Sequence, residues 1–422
     1  MSSDDARAPL APTHDGRVSL GLLLVTLCLI AVNMRATITG IGPLLEQMTT
    51  DTGVSIAVLS GLTSVPLIAW AVCSPLAHST AQRYGINRVL TVSLVLLTLG
   101  ALVRSLPGPV AGVWIGTAII GMSLAAANVL LPAVVKQSFG TRVPAVTALY
   151  TALLAGCGAI ASGLVVPLSH IAVRGEQWGW RPALLAVCAT LPIAVLLWAL
   201  HHRRAGNGAV RTRPKGTPRG PSMWGDAVAW QVGMYFGVQA SMFYVLLTWL
   251  APMALSIGRS ETQSGVDVMM FQLAGVLSSL ALPLALRGKL ERWAPALLPA
   301  LALVGVAGLI LLPDGILVWG MLGGLSSGAS LAMSLTLMAS RARDHHAASA
   351  LSGMAQSVGY AFAAVPPVVF GVLHTATGEW IASLAFLAAL LCTQALLGVL
   401  VGRDRYVLER ARPAAPTAPP AP

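Results

Sequence analysis

Long apolar runs recur along this chain, each broken by a short cluster of charged, Gly or Pro residues. Reading the runs between these breakers predicts twelve spans, at 18–45, 55–79, 87–106, 110–134, 144–168, 181–200, 226–255, 262–286, 294–312, 316–339, 348–374 and 380–402. Each is long enough for a helix to cross a hydrocarbon layer ~30 Å thick. In lipid every backbone N–H and C=O must find a partner within the protein, so apolar spans of this length are α-helices. The predicted fold class is an all-α polytopic membrane protein with twelve transmembrane helices.

The longest polar interruption, 201–223, carries Arg203, Arg204, Arg211, Arg213, Lys215 and Arg219 with no acidic residue, and it separates six spans from six. The stretch reads as a solvated basic linker. It divides the chain into an N-terminal segment (1–17), a six-helix bundle (18–200), the linker (201–223), a second six-helix bundle (224–402) and an Ala/Pro-rich tail (403–422) expected to be disordered. The halves resemble each other weakly. Trp114, Gly121 and Gly156 correspond to Trp319, Gly324 and Gly359, and Gly179-Trp180 corresponds to Glu379-Trp380. Two pseudo-symmetric bundles follow from that repeat.

Charge decides orientation. With an even number of spans both termini lie on one side, and twenty-one of the 26 Lys and Arg fall in the segments of that side. The opposite loops hold Arg104, Arg174, Arg181 and Arg259, and one arginine remains inside a span. By the positive-inside rule the termini are cytoplasmic, in an inner or plasma membrane. Charged residues make up only 10% of the chain, hydrophobic ones 56%, and the mean hydropathy is +0.76. These values exclude a water-soluble globule, and the net charge of +11, distributed between apolar runs, points to membrane topology and a lipid partner, not nucleic acid. The five cysteines all lie in apolar runs without metal-ligand spacing, so neither disulfides nor a metal site is expected. Trp178, Trp180, Trp224, Trp293 and Trp380 sit near span ends, where indole rings favour the membrane interface.

Three strings narrow the picture. Asn33-Met34-Arg35 followed by Gly42-Pro43-Leu44-Leu45 opens the first; Asn128-Val129-Leu130-Leu131-Pro132 through Lys136, Arg142 and Tyr150 forms the second; Leu351 to Tyr360 forms the third. With six plus six spans and a basic central loop, they resemble the cyanate and 2-nitroimidazole transporters of the major facilitator superfamily. The resemblance implies alternating access and a small substrate, either a cyanate-like anion or a compact nitroaromatic or heterocyclic molecule. The loop after the second span departs from the superfamily: Gln82 precedes Arg83-Tyr84-Gly85 where an acidic residue is usual.

Physical reasoning singles out Arg35. It is the only charge between Val18 and Leu45, about 25 Å along the helix from Arg17. Holding a guanidinium there costs roughly 2.5 to 3.5 kcal/mol, so it should face the bundle interior and have a partner. No Asp or Glu lies mid-span; Asp226, Asp267 and Glu46 come nearest. A transported anion can supply the missing charge, because the planar fork of Arg donates two parallel bonds to a carboxylate-like edge. Backbone carbonyls, Asp267 or outer-leaflet water are the structural alternatives. In the eleventh span Ser352, Gln356 and Tyr360 are spaced to form one polar face. In the seventh, Gln239, Tyr244 and Trp249 precede Pro252, and Asn128, Tyr150 and Gln272 are polar or aromatic insertions in the fourth, fifth and eighth. Each can serve either substrate contact or helix packing. Ser326, Ser330 and Ser334, among Gly323, Gly324 and Gly328, read as a small-residue packing face. His78, His170 and His374, near span ends, read as interface residues.

The chain has no phosphate-binding loop, no HExxH pair and no paired buried carboxylates, so an enzyme is not expected, and no cofactor is implied. The expected partners are a small solute, anionic or planar and polar, with a coupling proton as an open addition. A multidrug or metabolite efflux carrier of the same fold is the alternative within the class, and a non-transporting sensor the alternative outside it. Saturable flux in proteoliposomes separates the last two classes.

Overall fold

The computed structural model describes residues 20–173, 175–205, 222–285, 290–343 and 345–409. The N-terminal segment, most of the basic linker and the tail beyond 409 lie outside them. Among the described residues, twelve helical stretches are long and apolar enough to cross a membrane, from Leu20–Thr52 to Trp380–Val401. They coincide with the twelve runs read from the sequence.

The first span is α1 (Leu20–Thr39), a 3-10 turn at Gly42–Leu44, and α2 (Leu45–Thr52). The next three are α3 (Ile56–Tyr84), α4 (Ile86–Ser105) and α5 (Val110–Ser138), and the fifth is α6 (Val143–Ser169). A two-residue antiparallel hairpin, β1 (Ala172–Val173) with β2 (Glu176–Gln177), leads into the sixth, which is broken into α7 (Trp180–Ala186) and α8 (Leu191–Ala205). The second half has α9 (Ala227–Ser256), α10 (Glu261–Ala285), α11 (Leu290–Leu311) and α12 (Ile316–Ser340). Its eleventh span is split into α13 (His345–Ala363) and α14 (Pro366–Thr377), and the twelfth is α15 (Trp380–Val401).

Local chemistry sets these boundaries. Asp226 caps α9, its Oδ1 accepting from the Ala229 N–H at 2.9 Å. Pro366 and Pro367 cannot continue the helix before them and start α14. Pro43 lacks an N–H, so the Thr39 carbonyl loses its helical donor and accepts instead from Ser162 Oγ at 3.1 Å.

Packing repeats between the halves. The α3/α5, α1/α6 and α4/α5 contacts have counterparts in α10/α12, α9/α13 and α11/α12. Gly121 packs on the Pro66 backbone and Gly324 on the Phe271 backbone, so the matched glycines let equivalent helices touch closely. Gly156 faces open space; two positions on, Gly158 packs against α1, as Gly359 packs against α9. The serine face of α12 does pack: Ser326 donates to the Leu298 carbonyl at 2.8 Å, and Gly328 lies on Gly275. Large apolar side chains such as Val72, Leu277 and Leu396 are exposed on the outside, as a lipid-facing surface requires.

Three arginines assigned to loops by the sequence are held by helices instead. Arg181 pairs with Asp51, Arg259 Nε lies 2.7 Å from Asp267 Oδ2, and Arg104 is buried at the end of α4. Each finds an acceptor on a neighbouring helix, which charge spacing cannot reveal. Trp180 is likewise no interfacial anchor: it is buried, and its Nε1 donates to Asp51 Oδ2 at 3.1 Å. Trp178, Trp224 and Trp293 are exposed.

Candidate functional site

A large cavity of about 1660 Å³ lies between the halves. Its mouth is lined by Ser222, Met223 and Trp224 before α9, by Ala347 and Ala350 on α13, and by Leu408 after α15. These positions are on the side of the two ends of the described chain, so the cavity opens there. The opposite side is closed by contacts between halves. Thr248 donates to Thr63 at 2.9 Å, Gln47 Nε2 to Glu261 Oε2 at 2.5 Å, and Gly42 packs on the Leu247 carbonyl. His170 Nε2 lies 3.5 Å from the same Glu261 Oε2, so this histidine belongs to the seal.

Arg35 is on the cavity wall, half-buried. The α1 backbone approaches α6 closely at this level because Gly158 has no side chain; a Cβ there would overlap the Arg35 stem. The guanidinium carbon sits 5.1 Å from the centre of the Phe243 ring, a cation–π distance. The Tyr244 hydroxyl lies beside it, and the Tyr360 phenol is within electrostatic reach of both. Among the described residues no carboxylate pairs with Arg35, and no Asp, Glu or His lines the cavity. The alternative that Asp267 neutralises Arg35 is overturned: Asp267 is held by Arg259 at two points, 2.7 and 2.9 Å. Asp226 is occupied at the α9 cap and by the Leu408 N–H.

The cavity brings together Arg35, Asn128, Tyr150, Gln239, Tyr244, Gln272, Gln356 and Tyr360. Several are also tethered. Tyr150 Oη lies 3.3 Å from Met34 Sδ, Gln239 Nε2 donates to the Ser327 carbonyl at 3.1 Å, and Gln356 Nε2 donates to Ser352 Oγ at 2.8 Å. Gln272 Nε2 donates to Ser162 Oγ at 2.7 Å and so joins the halves. Asn128 is exposed to the cavity.

Trp249 is not at the site. It is fully buried among Phe370, Trp380 and Gly371, with Nε1 donating to the Pro367 carbonyl at 2.8 Å. Five residues beyond Tyr244, it has passed into the sealed end, where α9 meets α14. Trp380 also serves the seal, donating to Ser256 Oγ at 2.8 Å and stacking on His374.

Sequence reasoning missed an aromatic wall. Phe236, Phe243, Phe271 and Trp70 line the cavity, and Tyr360 makes edge contacts with Trp70 and Phe236, each at 5.1 Å. Two signals for it exist in the sequence. Phe236, Gln239 and Phe243 follow the i, i+3, i+7 pattern of one helix face, and Trp70 lies in mid-span, away from the interface that tryptophan favours.

A twelve-helix membrane protein whose two halves enclose a polar and aromatic cavity, open on one side and sealed on the other, has the architecture of a secondary transporter. The chain belongs to the major facilitator superfamily, whose profile matches residues 27–364, and within it to the group of cyanate and 2-nitroimidazole transporters. It is 36% identical over 387 residues to the 2-nitroimidazole transporter of Escherichia coli (strain K12), covering 92% of this chain and 96% of that one. It is 29% identical over 384 residues to the cyanate transport protein CynX of the same organism, covering 89% and 95%. Among solved structures, a bacterial homologue of the lysosomal transporter Spinster, inward-facing and unoccupied, superposes with a TM-score of 0.72 at 14% identity, covering 90% of this chain and 94% of that one. The D-xylose-proton symporter gives 0.70 at 13%, covering 92% and 98%. The chain is therefore a multi-pass membrane transporter of a small molecule, not an enzyme.

Proposed function

We propose that this transporter carries a small planar solute with an anionic or strongly hydrogen-bond-accepting edge, of the nitroheterocycle or cyanate kind. Segments 18–200 and 224–402 act as the two rocking units. The observation that carries this reading is Arg35: a charge in the cavity wall with aromatic rings and phenols around it and no carboxylate among the described residues. A guanidinium fork matches a nitro or carboxylate edge in two parallel bonds, and the rings of Phe243, Tyr244 and Tyr360 offer faces and edges to a flat ligand. The names of the relatives agree with both halves of that description.

The 21-to-4 charge asymmetry supports cytoplasmic termini in an inner or plasma membrane; the cavity is then open to the cytoplasm. Its volume exceeds what a single-ring ligand needs, so closure on the terminus side must contract it around the cargo. With no titratable acid or imidazole among the described lining residues, a coupling proton would travel on the substrate.

The test is a thermal-shift series on purified protein followed by uptake in proteoliposomes, using 2-nitroimidazole, cyanate and a neutral ring without the acceptor edge. A ligand at 100 times its Kd stabilises by about 2.7 kcal/mol. Stabilisation and saturable flux with the first or second compound, and neither with the third, is expected. Equal response to all three would overturn the acceptor-edge requirement. Reporters after Pro422 and near Gly216, both outside the described residues, should read cytoplasmic; a periplasmic signal at either would overturn the orientation.

A further inference from the structure

Arg104 and Asp267 are the two most deeply buried charged residues among the described ones, each 1% exposed, and Arg104 lies at the end of α4. It does not line the cavity and has no carboxylate partner among the described residues. Its Nη1 donates to the Thr37 carbonyl at 2.6 Å, while Nε and Nη2 find no hydrogen-bond partner among the described residues. Burying a guanidinium for one backbone bond is costly, so the place of that bond is informative.

Thr37 is two residues from Arg35, in the last turn of α1. That helix breaks at Thr39, before Gly40, Gly42 and Pro43, and leaves carbonyls without helical donors. A cation at this end also meets the negative pole of the helix. On the other side of Arg35, again two residues away, Asn33 Nδ2 donates to Thr190 Oγ1 at 2.8 Å, at the break in the sixth span. Two residues turn a helix by about 200°. Both anchors therefore hold the back of α1 directly opposite the face that presents Arg35. The close α4/α5 packing at Gly100 and Gly116, where the Arg104 backbone rests on α5, fixes the base of the anchoring side chain.

We propose that Arg104 is a positioning residue for Arg35: from behind α1 it fixes the rotation and height of the helix end, and so the direction in which the Arg35 fork faces the substrate. This rests on the reading of Arg35 as the substrate-binding charge. A misplacement of about 1 Å in such a site is enough to cost a large factor in recognition.

The experiment is a double-mutant cycle on the full-length purified protein, with Arg35→Gln, Arg104→Gln and both together, plus Arg104→Lys and Asn33→Ala. The readouts are Kd for 2-nitroimidazole and melting temperature. Arg104→Gln should weaken binding by roughly tenfold, with no further loss when added to Arg35→Gln. Arg104→Lys keeps the charge and one donor to the Thr37 carbonyl, so it should recover part of the affinity. Asn33→Ala should weaken binding in the same sense and by the same dependence on Arg35. Losses that add in the double mutant, or an unchanged Kd in Arg104→Gln or Arg104→Lys, would overturn the proposal. If Arg104→Gln fails to fold, Arg104→Lys and Asn33→Ala decide it. An unchanged Kd in Arg35→Gln alone would instead sink the substrate-binding reading of Arg35, a result distinct from additivity between the two arginines.

Discussion

Helices α1 and α9 hold matching places in the two halves, yet they meet the cavity with different chemistry. α1 contributes one charge, Arg35, and then breaks at a Gly and Pro cluster, so its last carbonyls are held by Arg104 and Ser162. α9 runs unbroken from Ala227 to Ser256 through Pro252, carries no charge, and contributes Phe236, Gln239, Phe243 and Tyr244. The two meet where the Arg35 guanidinium lies over Phe243. Duplication thus supplies the frame, while divergence supplies a composite site: charge from one half, aromatic surface from the other. Such a site can be complete only while both halves contact the substrate, as alternating access requires.

The largest expected effect comes from removing the charge. Arg35→Gln should leave the protein folded, because the amide relieves the cost of a charge in the membrane, yet lose about 2 kcal/mol of binding to an anionic or nitro-bearing ligand, the worth of a charge-assisted hydrogen bond. Arg35→Lys should recover only part, since it lacks the fork. Uptake and melting temperature together check this, and full transport by Arg35→Gln would break the comparison at its charged half.

Next comes the surface against which the charge is set. Gly158→Val places carbon where the Arg35 stem now lies, so binding should weaken by about tenfold and stability fall by about 1–3 kcal/mol. An unaltered Kd would mean that the position of the guanidinium is not critical.

The aromatic half should respond more mildly. Tyr244→Phe removes the hydroxyl that meets Arg35 and should weaken binding by about 1 kcal/mol. Trp249→Phe loses the bond to the Pro367 carbonyl and should lower stability by a similar amount, about 1 kcal/mol, with Kd unchanged. Measuring both variants by titration and thermal melt separates the cavity stretch of α9 from its sealing stretch; a Kd shift in Trp249→Phe alone would reverse the assignment.

Much of this molecule was legible in its sequence because lipid leaves few choices. An apolar run of about twenty residues in a bilayer can only be a helix, so the twelve spans and the family were accessible from pattern and motif. Arg35 was accessible for the same reason: a lone charge in such a run needs an explanation. What the sequence could not convey was which partner each polar group would meet. Asp267 lies eight residues from Arg259 and far along the chain from Arg35, yet both arginines were open to it until the fold closed one pairing. Trp249 reads as a site candidate together with Gln239 and Tyr244 of the same span, but the cavity ends before it and α14 begins. Arg104 counted as one loop charge among four, and only the close approach of α4 to α5 carries it behind α1 to the Thr37 carbonyl. Composition and periodicity act along a single helix, so the sequence determined what crosses the membrane; contacts between helices remote in the chain decided which groups face the substrate and which hold them in place.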